Sequence, residues 1–494
     1  MPRRLVISFG VGAAISLVFA VAIAALAPQF AWDILLGDRP IMLFGTILVI
    51  ASLAFTGWFF GVRRHFSETS AKPAHYRIAL SIFVIGMVAR LLLLHGPPIL
   101  EDDHYRYLWD GAVTAEGLNP YSHPPADFAT APEVEALTQS LNVKAEPLPK
   151  GYETLAVAGN TTLLRVNNPH IATIYPPPVQ AAFASAYRLS PFSLTAWRLV
   201  LLGFEILTFS FLYLALRAEG QGPFALTLYW WHPLVLKEFA NSGHMDAMLI
   251  AALAVILWLF VSGRQRLTVI VIGVASAIKF WPAMLLPMLF QRSRIFWILA
   301  ITGGATALAL LLPQLLALDS EAGLVRYTAD WQRNALLFPV LKHAVSWTGE
   351  GAGQLARFSV AILLLGIVFT IWDSRLSHRL GTIIGQSNAQ WLEDPIVRSA
   401  VLVLLLCLFS PTGYPWYALW LLPFAVLRPK LLLAVLPACA GFYYFDFLIQ
   451  AELVSPSWAI IPALLSAGPA IMVLLFSLFF HKNSQEAAYG LVSR

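Results

Sequence analysis

The feature that most constrains this chain is a succession of long apolar runs separated by short, often basic connectors. Residues 5–28, 41–61 and 78–95 form the first three runs, and further runs follow at 194–216, 223–236, 247–261, 269–278, 281–290, 295–316, 358–372, 397–408, 416–427, 431–447 and 460–480. A hydrocarbon layer about 30 Å thick is crossed by about 20 apolar residues in helical form. Inside it no water satisfies the backbone, so a chain of this kind folds into helices. The pattern predicts an all-α polytopic membrane protein with about 12–14 spans. Composition excludes the alternative of a soluble protein: 58% of residues are hydrophobic and only 12% charged, against about 25% charged in soluble domains. The net charge of +5 reads as Lys and Arg in cytoplasmic connectors rather than as a nucleic-acid surface. Cys407 and Cys439 both lie in apolar runs, so no disulfide framework is expected. The first run, behind Arg3 and Arg4, is longer than the about 7–15 apolar residues of a signal peptide and lacks a clear cleavage site, which makes it a retained span.

Charge sets the expected orientation. Arg63, Arg64, His65 and Arg77 make the second connector strongly basic and therefore cytoplasmic. The amino terminus is then cytoplasmic too, and the third span emerges outside. Residues 97–175 are the longest polar stretch and carry ten acidic against four basic residues, the sign tolerated outside. A stretch this long with its own apolar residues is expected to fold on the membrane surface. Pro176, Pro177 and Pro178 open a short apolar segment read as an interfacial or re-entrant helix. The scheme puts Arg217, Arg264, Arg292, Arg375, Arg428 and Lys482 inside. It divides the chain into N-terminal spans (1–96), an extracytoplasmic catalytic loop (97–190), a transmembrane bundle (191–480) and a cytoplasmic tail (481–494). No internal repeat of the kind many transporters carry is visible.

Four groups of residues carry chemistry. The first is Glu101-Asp102-Asp103-His104-Tyr105-Arg106-Tyr107-Leu108-Trp109-Asp110-Gly111. Three adjacent carboxylates repel, so at least one holds its proton more tightly unless a cation or metal is near. Such a carboxylate serves as a general base toward a hydroxyl, while His104 and Arg106 can bind phosphate and the aromatics can stack on sugar rings. Anchoring at the headgroup level explains the same aromatics, and residue chemistry alone leaves both readings open. The second group, from Lys237 to Asp246, adds His244 and a second acid, Asp246, on the same face as Asp103; a plain polar turn is the alternative. The third is Lys279, beside Phe280, Trp281 and Pro282. A lysine in an apolar region costs about 3 kcal/mol to insert, and it either snorkels or holds a lipid-linked phosphate. Pro282 frees backbone groups beside it, which favours the phosphate site. The fourth joins Tyr414, Trp416 and Tyr417 with Arg326, Trp331, Arg333 and Asn334, an aromatic and partly basic lining suited to a sugar phosphate. Arg90, Arg198, Glu205 and Asp446 are intramembrane charges expected to be paired, Arg198 and Glu205 through an intervening partner on their common helix. The adjacent carboxylates could take Mg²⁺ or Mn²⁺, or Lys279 and the arginines could stand in for a metal.

The acidic run, followed by Asn119-Pro120-Tyr121, resembles the first-loop signature of the GT-C membrane glycosyltransferases. The closer resemblance is to bacterial polyprenol-phosphate-mannose-dependent mannosyltransferases and their relatives, including the mannosyltransferase of the glycosylphosphatidylinositol anchor pathway. Tyr175-Pro176-Pro177, Gly243-His244-Met245-Asp246, Lys279-Phe280-Trp281-Pro282, Pro415-Trp416-Tyr417 and Trp420-Leu421-Leu422-Pro423 follow in the same order. The resemblance implies a GT-C bundle in a bacterial inner membrane, with both termini cytoplasmic and the active site outside. It implies transfer of a sugar, mannose favoured, from a polyprenyl-phosphate donor to a lipid or glycan acceptor with inversion. Asp103 matches the base, with Asp102 close behind; Lys279 matches a donor-phosphate residue and Asp246 a second acid. Glu101, His104, Arg106, Tyr107, Asp110, His244, Arg333, Tyr414, Trp416 and Tyr417 are the remaining expected substrate contacts. Two features depart from the family: two spans precede the usual first helix, and the triple acid leaves the base open between Asp102 and Asp103. A transporter or flippase for a lipid-linked saccharide, with the acidic loop as a gate, and a purely structural scaffold are the competing readings.

Overall fold

A computed structural model describes residues 3–67, 72–128, 151–290, 293–318, 322–373 and 393–479. The expected tail, Lys482 included, and the connector arginines Arg292 and Arg375 lie outside the described residues. The chain is all-α. Among the described residues, eight helices are long and apolar enough to cross a membrane: Val6–Phe30, Ile41–Phe66, His75–Leu93, Leu194–Ala218, Phe296–Leu315, Ser346–Trp372, Leu431–Gln450 and Pro456–Leu478. Large apolar side chains such as Val18, Ile298, Ile301, Met472 and Phe476 point outward and are exposed, as a protein solvated by lipid requires. Five shorter apolar helices, Asp246–Val261, Gln265–Ser276, Trp281–Phe290, Pro395–Phe409 and Pro415–Leu427, fill positions where the sequence also predicted spans.

The run expected to cross at 223–236 is broken rather than one continuous helix. Pro223 opens a 3-10 turn, and a second proline, Pro233, has no N–H and forces His232 out of the helical region. His232 caps the restart by accepting from the Leu234 N–H through Nδ1 at 3.2 Å. The chain then winds as a π-helix over Leu236–Asn241, a geometry that accumulates at functional sites. Gly243 follows at φ +81°, a left-handed turn that L side chains rarely adopt, and Asp246 starts the next helix. Every residue from 227 to 250 is buried, so this irregular backbone is surrounded by protein rather than lipid.

The long polar stretch folds round a small core of its own. Helix Asp103–Ala115 buries Trp109, Ala112 and Val113 against Phe128, Tyr152, Leu155, Leu163 and Val166. Its other side packs on the short helix Pro177–Leu189. Gly111 permits that contact: a Cβ there would lie 2.5 Å from the Phe183 carbonyl oxygen.

Intramembrane charges fix the bundle. Arg90 meets Glu205 at 2.6 Å and donates to the Trp230 carbonyl at 2.8 Å. The expected link between Arg198 and Glu205 is not what forms. Arg198 instead donates to the carbonyls of Leu94, Gly96 and Asn241, tying the end of the third span to the π-helical segment. The amide of Asn241 completes this by accepting from the Ile99 N–H at 3.0 Å. Asp446 pairs with Arg333 at 2.9 Å. Connectors assigned to one common side do meet: Arg63 donates to the Pro429 carbonyl, and Arg428 pairs with Glu219 and Asp394.

Candidate active site

A cavity of about 1000 Å³ opens where the polar stretch meets the bundle, at the upper end of the size range for ligand sites. The backbone turns into it at Leu100, a non-glycine residue at φ +55°, a strained conformation of the kind that clusters at functional sites. Glu101, Asp102 and Asp103 then face it, with Asp103 in the first turn of its helix, where the helix dipole favours negative charge. Asn167 holds the two aspartates together. Its amide nitrogen lies 2.8 Å from Asp102 Oδ1 and 2.7 Å from Asp103 Oδ1. Tyr107 donates to Asp103 Oδ2 at 3.3 Å.

Lys279 enters the same cavity from the bundle. Its Nζ lies 2.9 Å from Asp246 Oδ1 and 4.1 Å from the centre of the Tyr417 ring. Trp420 donates its indole N–H to the same Asp246 oxygen at 2.8 Å. Burial lowers the affinity of Lys279 for its proton and Asp246 opposes that. Arg333, Tyr414, Trp416 and Tyr417 complete this part of the wall. Arg333 is anchored through its backbone to Pro411 and Gly413 and through its side chain to Asp446.

The sequence-predicted residues thus converge, though not all in the same role. His104 and Arg106 reach the wall but are poor cation donors to a phosphate. Burial, and then Arg198, push the His104 imidazole down to about 3, and Arg106 is held by Asp110 at 3.0 Å and by the Ile171 carbonyl at 2.7 Å. Asp110 and His244 do not line the cavity, contrary to their expected substrate contact. Asp110 is buried beneath it with Arg106, Thr173 and Gln180. His244 lies flat beneath Trp416, ring centres 3.6 Å apart.

Behind that indole is a buried charge cluster that sequence reasoning did not assemble. His244 Nε2 is 3.5 Å from Glu101 and 3.3 Å from Glu238, and its Nδ1 is 3.8 Å from Asp103 Oδ2. Lys237 lies 3.5 Å from Glu101 and 3.8 Å from Glu238. The Tyr444 hydroxyl lies 2.8 Å from both acids. Lys237 and Glu238 carried a signal, a charged pair inside an apolar run; Tyr444, two hundred residues away in another run, carried none. Glu101, Glu238 and His244 bring ligand atoms within 4.8 Å of one another. With the Lys237 ammonium against both carboxylates, the positive charge of a metal is already built in. A divalent ion there would be repelled by that ammonium, and the set does not fit such an ion.

These neighbours separate the three acids. Burial raises the Glu101 pKa, but Lys237 and His244 outweigh it and hold the carboxyl below its ordinary value. Burial and Asp103 push Asp102 up to about 6. Burial also raises Asp103, with His244 opposing and Glu101 reinforcing. Both aspartates that face the cavity thereby hold a proton more tightly than an ordinary aspartate, Asp102 with a pKa of about 6.

Comparison with known proteins adds the chemical class. Residues 180–293 match the family model described as Alpha-(1->6)-mannopyranosyltransferase, N-terminal domain. This chain resembles a membrane mannosyltransferase. Over 198 residues it is 26% identical to Alpha-(1->6)-mannopyranosyltransferase A of Mycobacterium tuberculosis, covering 40% of this chain and 34% of that protein. The match therefore spans about a third of the curated relative's length. No solved structure matches. The family segment contains Lys237, Glu238, His244, Asp246 and Lys279 and begins after the acidic run at 101–103.

Proposed function

We propose that the protein transfers mannose from a polyprenyl-phosphate donor to an acceptor hydroxyl, with Asp103 as general base. The observation that carries this is the placement of two aspartates with raised pKa and one lysine in a single cavity. In the reaction the acceptor oxygen attacks the anomeric carbon as the bond from that carbon to the phosphate oxygen breaks. The electron pair leaves with polyprenyl phosphate, the acceptor proton passes to Asp103, and attack opposite the leaving group inverts the configuration. Phosphate is a good leaving group once a cation meets its developing charge. Lys279 supplies that cation, and the Tyr414, Trp416 and Tyr417 surface orients the sugar, so the chain mainly holds the two reactants in line. The acceptor is a lipid or glycan hydroxyl, the reaction occurs on the extracytoplasmic face, and the host membrane is a bacterial inner membrane.

The test is Asp103→Asn and Asp102→Asn in purified protein given polyprenyl-phosphate mannose. Asp103→Asn is expected to lose at least about 100-fold in transfer, the range of general-base contributions, while donor binding persists. Asp102→Asn is expected to lose less. Full transfer by Asp103→Asn would reject the assignment.

A further inference from the structure

The buried cluster beneath Trp416 has no role in the reaction as written, yet it touches the base. Three acids, Glu101, Glu238 and Asp103, surround His244, while one lysine, Lys237, faces the two glutamates. The Glu238 side chain is fully buried, those of Lys237 and His244 are 0% and 1% exposed, and Trp416 lies between the imidazole and the cavity. An uncompensated buried carboxylate is costly, and a neutral imidazole would leave two glutamates against one lysine. Protonated, His244 balances the pair, and its remaining face is directed at Asp103 Oδ2. We propose that His244 is a positioning residue that presents a fixed positive charge to the Asp103 carboxylate, held in place by Glu101, Glu238, Lys237 and Tyr444. The inference rests on Asp103 being the base.

The electrostatics agree. Burial alone disfavours the imidazolium, but Glu101 and Glu238 raise it to about 10. The imidazole meets Glu101, Asp103 and His104 from the polar stretch, Glu238 from the π-helix and Trp416 from the C-terminal part. Lys237 and Tyr444 meet its two glutamates, and Asp246 follows two residues on. Asp103 also meets Glu101, Asp102, Tyr107 and Tyr175 directly, with Lys279 and Asp246 in the same cavity. Lys279, Arg39, Arg106, Arg333 and Arg357 line the same cavity, and His244 brings a ring nitrogen to 3.8 Å from Asp103 Oδ2. The cluster therefore does for the base what a bound cation would do, without leaving when the product departs.

The experiment compares pH profiles of kcat for wild type, His244→Gln and His244→Lys. A carboxylate deprived of an adjacent cation loses a preference for its charged form of about one to three pH units. His244→Gln is therefore expected to move the acidic limb up by at least about one unit, with donor KM changed less than about twofold, and His244→Lys to keep the limb near wild type. An unmoved limb in a folded His244→Gln protein overturns the inference, as does a large rise in KM with kcat unchanged, which would make His244 a substrate contact. Should His244→Gln fail to fold, infrared titration of the Asp103 carboxyl in wild type and His244→Lys, identified by its loss in Asp103→Asn, gives the same reading. A band that titrates at a clearly different pH in His244→Lys than in wild type would contradict it. Retained transfer in Asp103→Asn instead rejects the base assignment, whatever His244 does.

Discussion

At the residue scale, groups that face the cavity are distinct from groups that hold them. Lys279 is the cation the cavity offers beside Asp246, with an aromatic wall of Tyr417 and Trp420 round it. A hydrogen bond to a charged group contributes about 1.5–3 kcal/mol, so Lys279→Met should lower kcat/KM for the donor by about tenfold or more, with Lys279→Arg partly restoring it. Steady-state kinetics against donor concentration checks this; an unchanged kcat/KM would mean that Lys279 only snorkels. Much of this was legible from residues alone. A triple acid and a lysine inside an apolar run are expensive unless used, and both line the cavity. What was not legible is which charges are already spent. Arg106 looks like a phosphate ligand in sequence, yet its partner Asp110 sits one turn on in the same helix. His244 looks like a substrate contact until the indole of Trp416, 172 positions later, covers it.

At the element scale, irregular backbone between the long helices does the positioning. The third span and the Leu194–Ala218 helix are joined by Arg90 and Glu205, side chains 1% and 2% exposed. Arg90→Leu strands a buried carboxylate and should cost about 3–5 kcal/mol, whereas the double variant Arg90→Leu with Glu205→Leu should recover most of that. Thermal unfolding of the detergent-solubilised proteins measures it, and equal loss in single and double variants would refute the pairing. The long spans were readable because about 20 apolar residues have one solution in a bilayer. The run read as a crossing at 223–236 leads from the connector end beside Glu219 to Asn241 beside Leu94 and Gly96. Its breaks were not legible because hydropathy sees only its apolar residues. The two prolines that break it, and the surrounding protein that satisfies its freed backbone groups, are tertiary facts.

At the scale of the whole molecule, the bundle gathers charge at two places. Arg63, Glu219, Asp394 and Arg428 meet among the connectors, while Glu101, Asp103, Asp246, Lys279 and Arg333 meet round the cavity. The polar stretch, with its own small core, covers that cavity and carries the acids. The likeness to mannosyltransferases runs through the part of the bundle that supplies Lys279 and, from the buried cluster, Lys237, Glu238 and His244. On the proposed function, these parts form a transferase that takes a lipid-linked donor from the bilayer and reacts it under a folded extracytoplasmic cover. A transporter of the same lipid would need no base. The most direct test is reconstitution of the purified protein in liposomes with labelled polyprenyl-phosphate mannose and a glycan acceptor. Mannose covalently joined to the acceptor, and lost in Asp103→Asn, is the expected result. Movement of the labelled lipid across the bilayer, with no mannose on any acceptor and no effect of Asp103→Asn, would contradict it.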